Sequence, residues 1–328
     1  LLNQGRNLVR AIGLAFALRQ PDGYGRAMKR SAPLLPILSA MTGLLCFGVM
    51  DGFMKIAALA VGAYAALFWR NLVGSLIMLP VWLVRGNKDG SRGLPGREAM
   101  RMHLLRSGVA GVMATLFFYG LARTPVAEAM ALSFIAPLLA LFLAAAWLGE
   151  ELSKRAVAGS VLALSGVGLI AAGKFGGRYD AEAVHGLIAI LISAVLYAWN
   201  LVLQRKQSQL AGPEEISFFQ TFFIFCLLGI GAWWFAPVPP AQIWAVLAAS
   251  AVLSTASLML LGWAYARAEA QVLVPLEYTA FIWAALVGWI VFSEPLTLRT
   301  LAGVVLIVAG CLIALQRKPA PEAAAERA

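Results

Sequence analysis

Four ionisable residues stand inside long apolar stretches of the chain: Asp51, Arg70, Glu128 and Glu277. In hydrocarbon each such group costs about 2.5–3.5 kcal/mol at the centre of a helix, so each requires a compensating partner or a wet cavity. The guanidinium of Arg70 is a planar fork that holds a carboxylate through two parallel hydrogen bonds. The other use of the same group is a permanent salt bridge to Asp51, pinning one helix to the next. Glu277 follows Pro275 by two residues. Proline has no N–H and so frees a carbonyl in the helix ladder, which is tolerated where backbone borders a cavity. A carboxylate at that point binds an amine or takes and releases a coupling proton.

Neutral polar tips fall on stripes. Tyr197, Asn200 and Gln204 lie at i, i+3 and i+7, and Gln271 and Tyr278 at i and i+7, so each set shares one helix face. Such a stripe suits a solute path. Its alternative is hydrogen bonding between helices, worth about 0.6 kcal/mol per bond on average. Tyr119, with Trp199, Trp263 and Trp283, supplies aromatic surface for stacking on a solute, for packing, or for anchoring at a membrane interface. Glu150, Glu151 and Glu294 read as loop or cap residues at helix ends.

Equipment for hydrolysis, metal binding or nucleotide binding is missing from the pattern. Cys46, Cys226 and Cys311 are far apart inside apolar runs, and the two histidines, His103 and His185, flank helices without a metalloprotease or nucleophile-elbow arrangement. Gly168 to Lys174 has phosphate-loop spacing, but Phe175 replaces the required hydroxyl and no strand precedes it. The expectation is no enzyme, no metal and no cofactor, with a non-transporting scaffold or sensor and an intramembrane enzyme as the rival readings.

These residues must be positioned by membrane helices. Of 328 residues 61% are apolar and 13% charged, and the mean hydropathy is +0.81. That leaves too little polar surface for a water-facing globule, while each spanning helix uses about 20 residues, which permits roughly ten spans. They are read near 34–54, 62–84, 103–122, 125–147, 155–173, 186–204, 215–236, 241–265, 270–293 and 298–316. The net charge of +10 is not a nucleic-acid footprint, because Lys and Arg fall in short clusters between apolar runs, such as the longest connection, from Arg85 to Met102. The bias of those clusters places both termini in the cytoplasm. With 1.5 Å per residue, Asp51 is expected about 5 Å from the outer end of its span, Arg70 about 12 Å and Glu277 about 20 Å.

Sliding the sequence on itself by 144 positions pairs Arg123 with Arg267, Glu150 with Glu294, Arg155 with Arg299, Gly159 with Gly303 and Gly166 with Gly310. An offset of 150 in the earlier helices pairs Phe47 with Tyr197, Lys55 with Arg205 and Phe68 with Phe218. Each half is thus one repeat of five helices. Five is odd, so the second copy enters the membrane from the opposite side, an inverted repeat of the kind that places a binding site at the midplane between halves. Gly159, Gly166, Gly303 and Gly310 recur at seven-residue intervals and read as a close helix-packing seam or a homodimer contact.

The doubled pattern Tyr119-Gly120-Leu121-Ala122-Arg123 through Leu148-Gly149-Glu150-Glu151, repeated as Trp263-Ala264-Tyr265-Ala266-Arg267 through Phe292-Ser293-Glu294-Pro295, resembles the ten-helix EamA-type branch of the drug/metabolite transporter superfamily over residues 34 to 316. Phe68-Trp69-Arg70 is similar to the Arg-bearing second helix of that branch. Asp51 before Lys55, and Pro275-Leu276-Glu277-Tyr278, are similar to members that carry S-adenosylmethionine. The resemblance implies an all-α inner-membrane carrier of small bacterial metabolites, such as amino acids or their derivatives, driven by a gradient or by exchange. It divides the chain into a cytoplasmic segment 1–33, repeats at 34–174 and 184–317, and a cytoplasmic tail 318–328, with residues 1 to 27 read as an appendage ahead of Met28-Lys29-Arg30.

Overall fold

The computed structural model describes residues 34–87, 93–136, 138–139, 142, 154–175, 181–265 and 276–315. Its helices are α1 (Leu34–Val61), α2 (Ala63–Arg85), α3 (Arg97–Leu121), α4 (Val126–Ser133), α5 (Lys154–Phe175), α6 (Ala181–Leu210), α7 (Pro213–Gly229), α8 (Ala241–Tyr265), α9 (Ala280–Phe292) and α10 (Leu298–Leu315). A four-residue helical turn, Ala232–Phe235, follows α7. Among the described residues, five helices are long and apolar enough to cross a membrane: α1, α2, α3, and the segments Ala181–Gln204 of α6 and Ala241–Leu261 of α8.

Burial is inverted relative to a soluble protein. Leu76, Leu83, Val161, Ile188, Trp289, Ile290 and Val305 are exposed, whereas Asp51, Lys55, Asn71, His103, Arg106, Asn200, Gln207 and Glu215 are buried. Apolar side chains on the outside and polar groups inside are what a lipid solvent demands, since hydrocarbon offers no partner to a polar group at the perimeter. This is a multi-pass membrane protein.

The two halves show in which helices touch. α1 packs on α8 and α3 on α6; α2 packs on α7, α4 on α9 and α5 on α10. Exchanging each helix of the first five with its counterpart in the second five maps this set onto itself, as two copies of one unit require. The α5–α10 seam is the tightest of these. A Cβ added at Gly166 would meet the Gly303 carbonyl oxygen at 2.5 Å, and one added at Gly310 would run into the Gly159 carbonyl. Only hydrogen fits between these backbones, so the seam depends on its small residues.

Local sequence fixes the corners. α1 and α2 are separated by Gly62 alone, at φ 83, a left-handed conformation that costs glycine nothing. Pro213 opens α7 at its first turn, where its missing N–H would have had no helical partner.

Two boundaries differ from the sequence reading. α1 continues to Val61 because Lys55, taken as the charge that closes the first span, is buried and paired inside the bundle. Asp51 therefore lies about 15 Å from that helix end, at mid-depth, and Arg70 about 10 Å from the start of α2. Likewise α3 begins at Arg97 and not near 103, so His103, read as flanking the helix, and Arg106 are interior residues of the third helix, both buried.

Candidate functional site

Asp51 sits on the face of α1 that also buries Met50, Met54 and Lys55. It is 1% exposed, and neither carboxylate oxygen has a hydrogen-bond partner among the described residues. Arg70 of α2 acts on it electrostatically without forming a salt bridge. Arg70 instead has Nη1 at 3.5 Å from the Met50 sulfur and its guanidinium 5.7 Å from the Phe118 ring centroid. The pinning salt bridge weighed from the sequence is thus not formed. A buried acid and a half-buried base lie within electrostatic reach of each other, and the contacts of Arg70 are the soft sulfur of Met50 and the ring of Phe118.

Tyr197 of α6 links this pair to the second half. It lies within electrostatic reach of Asp51, of Glu277 and of Arg106. Tyr278 is partly buried, its ring edge-on to Phe134 at 5.2 Å, with Cys311 of α10 beside its hydroxyl. The structure therefore gathers Asp51, Arg70, Tyr197 and Glu277 into one electrostatic neighbourhood drawn from both repeats. Gln271 and Pro275 lie outside the described residues, as do Glu150 and Glu151.

Asn200 and Gln204 have another task. Arg106 Nε donates to Asn200 Oδ1 at 3.0 Å, Nη2 to Gln204 Oε1 at 3.2 Å and Nη1 to Gln207 Oε1 at 2.5 Å. Arg106 is the site residue that sequence reasoning missed. The signal was present: a stripe of amide side chains on α6 needs a multivalent donor at the same depth, and Arg106 is the residue of α3 that can meet it.

The remaining candidates lie at the end of the bundle near Val61. Lys55 Nζ pairs with Glu294 Oε1 and donates to the Thr124 carbonyl at 2.7 Å. Glu294 Oε2 accepts the Val126 N–H at 2.8 Å, so this carboxylate caps the N-terminus of α4, which Pro125 leaves without a side-chain cap. Ser293, left-handed at φ 54, turns the chain after α9 so that Glu294 can reach back. Glu128, in the first turn of α4, accepts from Thr300 Oγ1 at 3.2 Å. Tyr119 lies under the Arg123 guanidinium, 3.7 Å from its ring centroid, while its neighbour Phe118 is the aromatic beside Arg70. Glu128 and Tyr119 thus sit in the contacts that tie this end together, apart from the Asp51 neighbourhood.

Comparison with known proteins decides the class. The chain matches the EamA-like transporter family over residues 34–172 and 184–316, one match in each half. The chain belongs to the EamA-like transporter family. Members of this family are transporters and not enzymes. Among the relatives of this EamA protein is the pseudopaline exporter CntI of Pseudomonas aeruginosa, 29% identical over 290 residues that cover 88% of this chain and 96% of the relative. An uncharacterised transporter of Helicobacter pylori is 26% identical, covering 87% of this chain and 96% of its own. An S-adenosylmethionine uptake transporter of Rickettsia bellii is 23% identical, covering 83% and 90%. A crystal structure of a protein 21% identical superposes with a TM-score of 0.58 over 87% of this chain and 97% of that one, which shows the shared fold.

Proposed function

We propose that this EamA protein is a secondary carrier of a small metabolite bearing both a cationic amine and a carboxylate, an amino acid or amino-acid derivative. The observation that carries this reading is Asp51, a carboxylate 1% exposed whose oxygens have no hydrogen-bond partner among the described residues, facing an Arg70 that forms a salt bridge with none of the described carboxylates. A buried acid without a partner is costly and persists where function requires it. An amine on Asp51 and a carboxylate on Arg70 would satisfy both residues at once, with Tyr197 and Glu277 completing the lining. A scaffold would have neutralised these groups against each other.

The reading places the protein in a bacterial inner membrane with both termini cytoplasmic, and it treats 34–174 and 184–317 as two bodies that rock about the site, driven by a gradient or by exchange. Neither direction of transport is favoured by the site, since the same groups serve both; the relatives include one named for export and one for uptake. The test is a thermal-shift screen of purified protein against amino acids, N-substituted amino acids and simple amines, followed by flux of the hits into proteoliposomes. A ligand at a hundred times its Kd adds about 2.7 kcal/mol of stability. Hits confined to compounds with both groups, and lost in Asp51→Asn, support the reading; hits unaffected by Asp51→Asn remove it.

A further inference from the structure

At the end of the bundle opposite Glu294, a second polar assembly is buried among α3, α6 and α7. His103 is wholly buried, its ring stacked on Phe219 at 4.9 Å between centroids. Its Nε2 lies 3.0 Å from Glu215 Oε1 and its Nδ1 2.7 Å from Gln207 Nε2. Gln207 also takes the 2.5 Å bond from Arg106 Nη1 on its carbonyl oxygen.

The donor inventory fixes every proton in this chain. Arginine has only donors, so the atom of Gln207 that faces it must be the carbonyl oxygen. The Gln207 amino group therefore faces His103 and, being only a donor, requires a bare Nδ1. Neutral histidine carries one N–H, which must then sit on Nε2 and point at the Glu215 carboxylate. The sequence Arg106, Gln207, His103, Glu215 is a directional relay with a cation at one end and an anion at the other, and it tolerates one tautomer of the imidazole.

We propose that His103 is a proton-binding site whose occupation releases Arg106 toward the substrate site. A proton taken from water adds to the Nδ1 lone pair and creates an imidazolium; Nε2–H stays on Glu215, and no other bond forms or breaks. Nδ1–H then faces the Gln207 amino group, donor against donor. The amide turns over, so that its carbonyl accepts from Nδ1–H and its amino group now opposes Arg106 Nη1. Arg106 keeps Asn200 and Gln204 but loses its shortest bond, and its charge is free to shift toward Tyr197, which lies one turn from Asn200 on α6 and within reach of both Arg106 and Asp51. A proton on His103 is thereby coupled to the field at the solute site. A coupling proton, one of the two roles open to Glu277 from the sequence, has a stereochemically defined seat here.

Among the described residues, these charged groups lie around His103. Glu215 faces it from α7 and Arg106 from its own helix. Glu214 of α7 is half-buried, and Arg101 of α3, Lys206 of α6 and Arg85 of α2 are exposed.

The chain has two histidines, so His185→Gln, at an exposed position, leaves His103 as the one imidazole. Nitrogen-15 NMR of that full-length variant in lipid nanodiscs reads both ring nitrogens directly. The expected spectrum has a bare Nδ1 and a protonated Nε2 at neutral pH. On acidification Nδ1 gains its proton, and the Arg106 Nε signal, assigned by its loss in Arg106→Lys, moves with the same midpoint. In Gln207→Met the imidazole still titrates but the Arg106 signal stays still. A proton on Nδ1 at neutral pH, an imidazole that never titrates, or an Arg106 signal that ignores the titration would each overturn the proposal, and the His185→Gln spectra decide this even if Gln207→Met does not fold.

Discussion

Replacing Asp51 by asparagine makes the protein more stable and transport-dead. The amide keeps the shape of the carboxylate, so no cavity opens at this position. A buried neutral polar group without partners costs about 1–3 kcal/mol, whereas an ionised one costs several. Because both Asp51 oxygens lack partners among the described residues at 1% exposure, the exchange removes the charged part of that penalty and leaves the neutral part. The difference is a gain of about 1–3 kcal/mol, or roughly 2 °C in Tm per kcal/mol for a large domain. Thermal unfolding of detergent-solubilised wild type and variant measures it, with flux of a hit compound measured in parallel. Function that demands a destabilising group produces this pairing of gain and loss. A Tm that falls would refute the reasoning, because it would mean that the carboxylate already has a native partner whose loss is felt.

The ion pair at the other end should behave in the opposite way. Lys55→Met strands Glu294 beside the α4 N-terminus and should destabilise by about 3–5 kcal/mol, whereas adding Glu294→Gln should restore much of the loss; equal and additive losses in a double-mutant cycle would argue against a coupled pair. Gly166→Ala places a methyl 2.5 Å from the Gly303 carbonyl oxygen and should cost about 1–3 kcal/mol, while Gly168→Ala on the open face of α5 should be neutral or stabilising; equal Tm values would deny the seam its role.

The ten-helix order and the repeat were legible because hydrocarbon imposes a length on each apolar run and because charges and glycines matched in one register. Residue depth was less legible. Reading Lys55 as a helix stop moved Asp51 toward the surface, since a lysine in sequence looks the same whether it snorkels to water or is paired inside. Counting Arg106 among the basic residues at the inner start of the third span hid it for the same reason. Asp51, Arg70, Tyr197 and Glu277 could be picked out because an ionisable or phenolic tip within an apolar run is rare. Which of them meet was not legible, as it depends on helix rotation, and rotation is set by packing against a half of the chain more than a hundred residues away. Tyr119 and Phe118 illustrate this: adjacent in sequence, they lie on different faces, and the less polar of the two is the one beside Arg70.

The central claim, that Asp51 and Arg70 hold the two charged ends of a transported solute, is tested most directly by flux through Arg70→Lys. Wild type and variant, reconstituted at equal abundance, are given the hit compounds beside analogues lacking the carboxylate. Lysine keeps the charge but not the fork, so the account predicts that flux of carboxylate-bearing compounds falls at least about tenfold, equivalent to one good charge-assisted hydrogen bond, while flux of the analogues is unchanged. Equal flux of both classes through wild type and Arg70→Lys would contradict it.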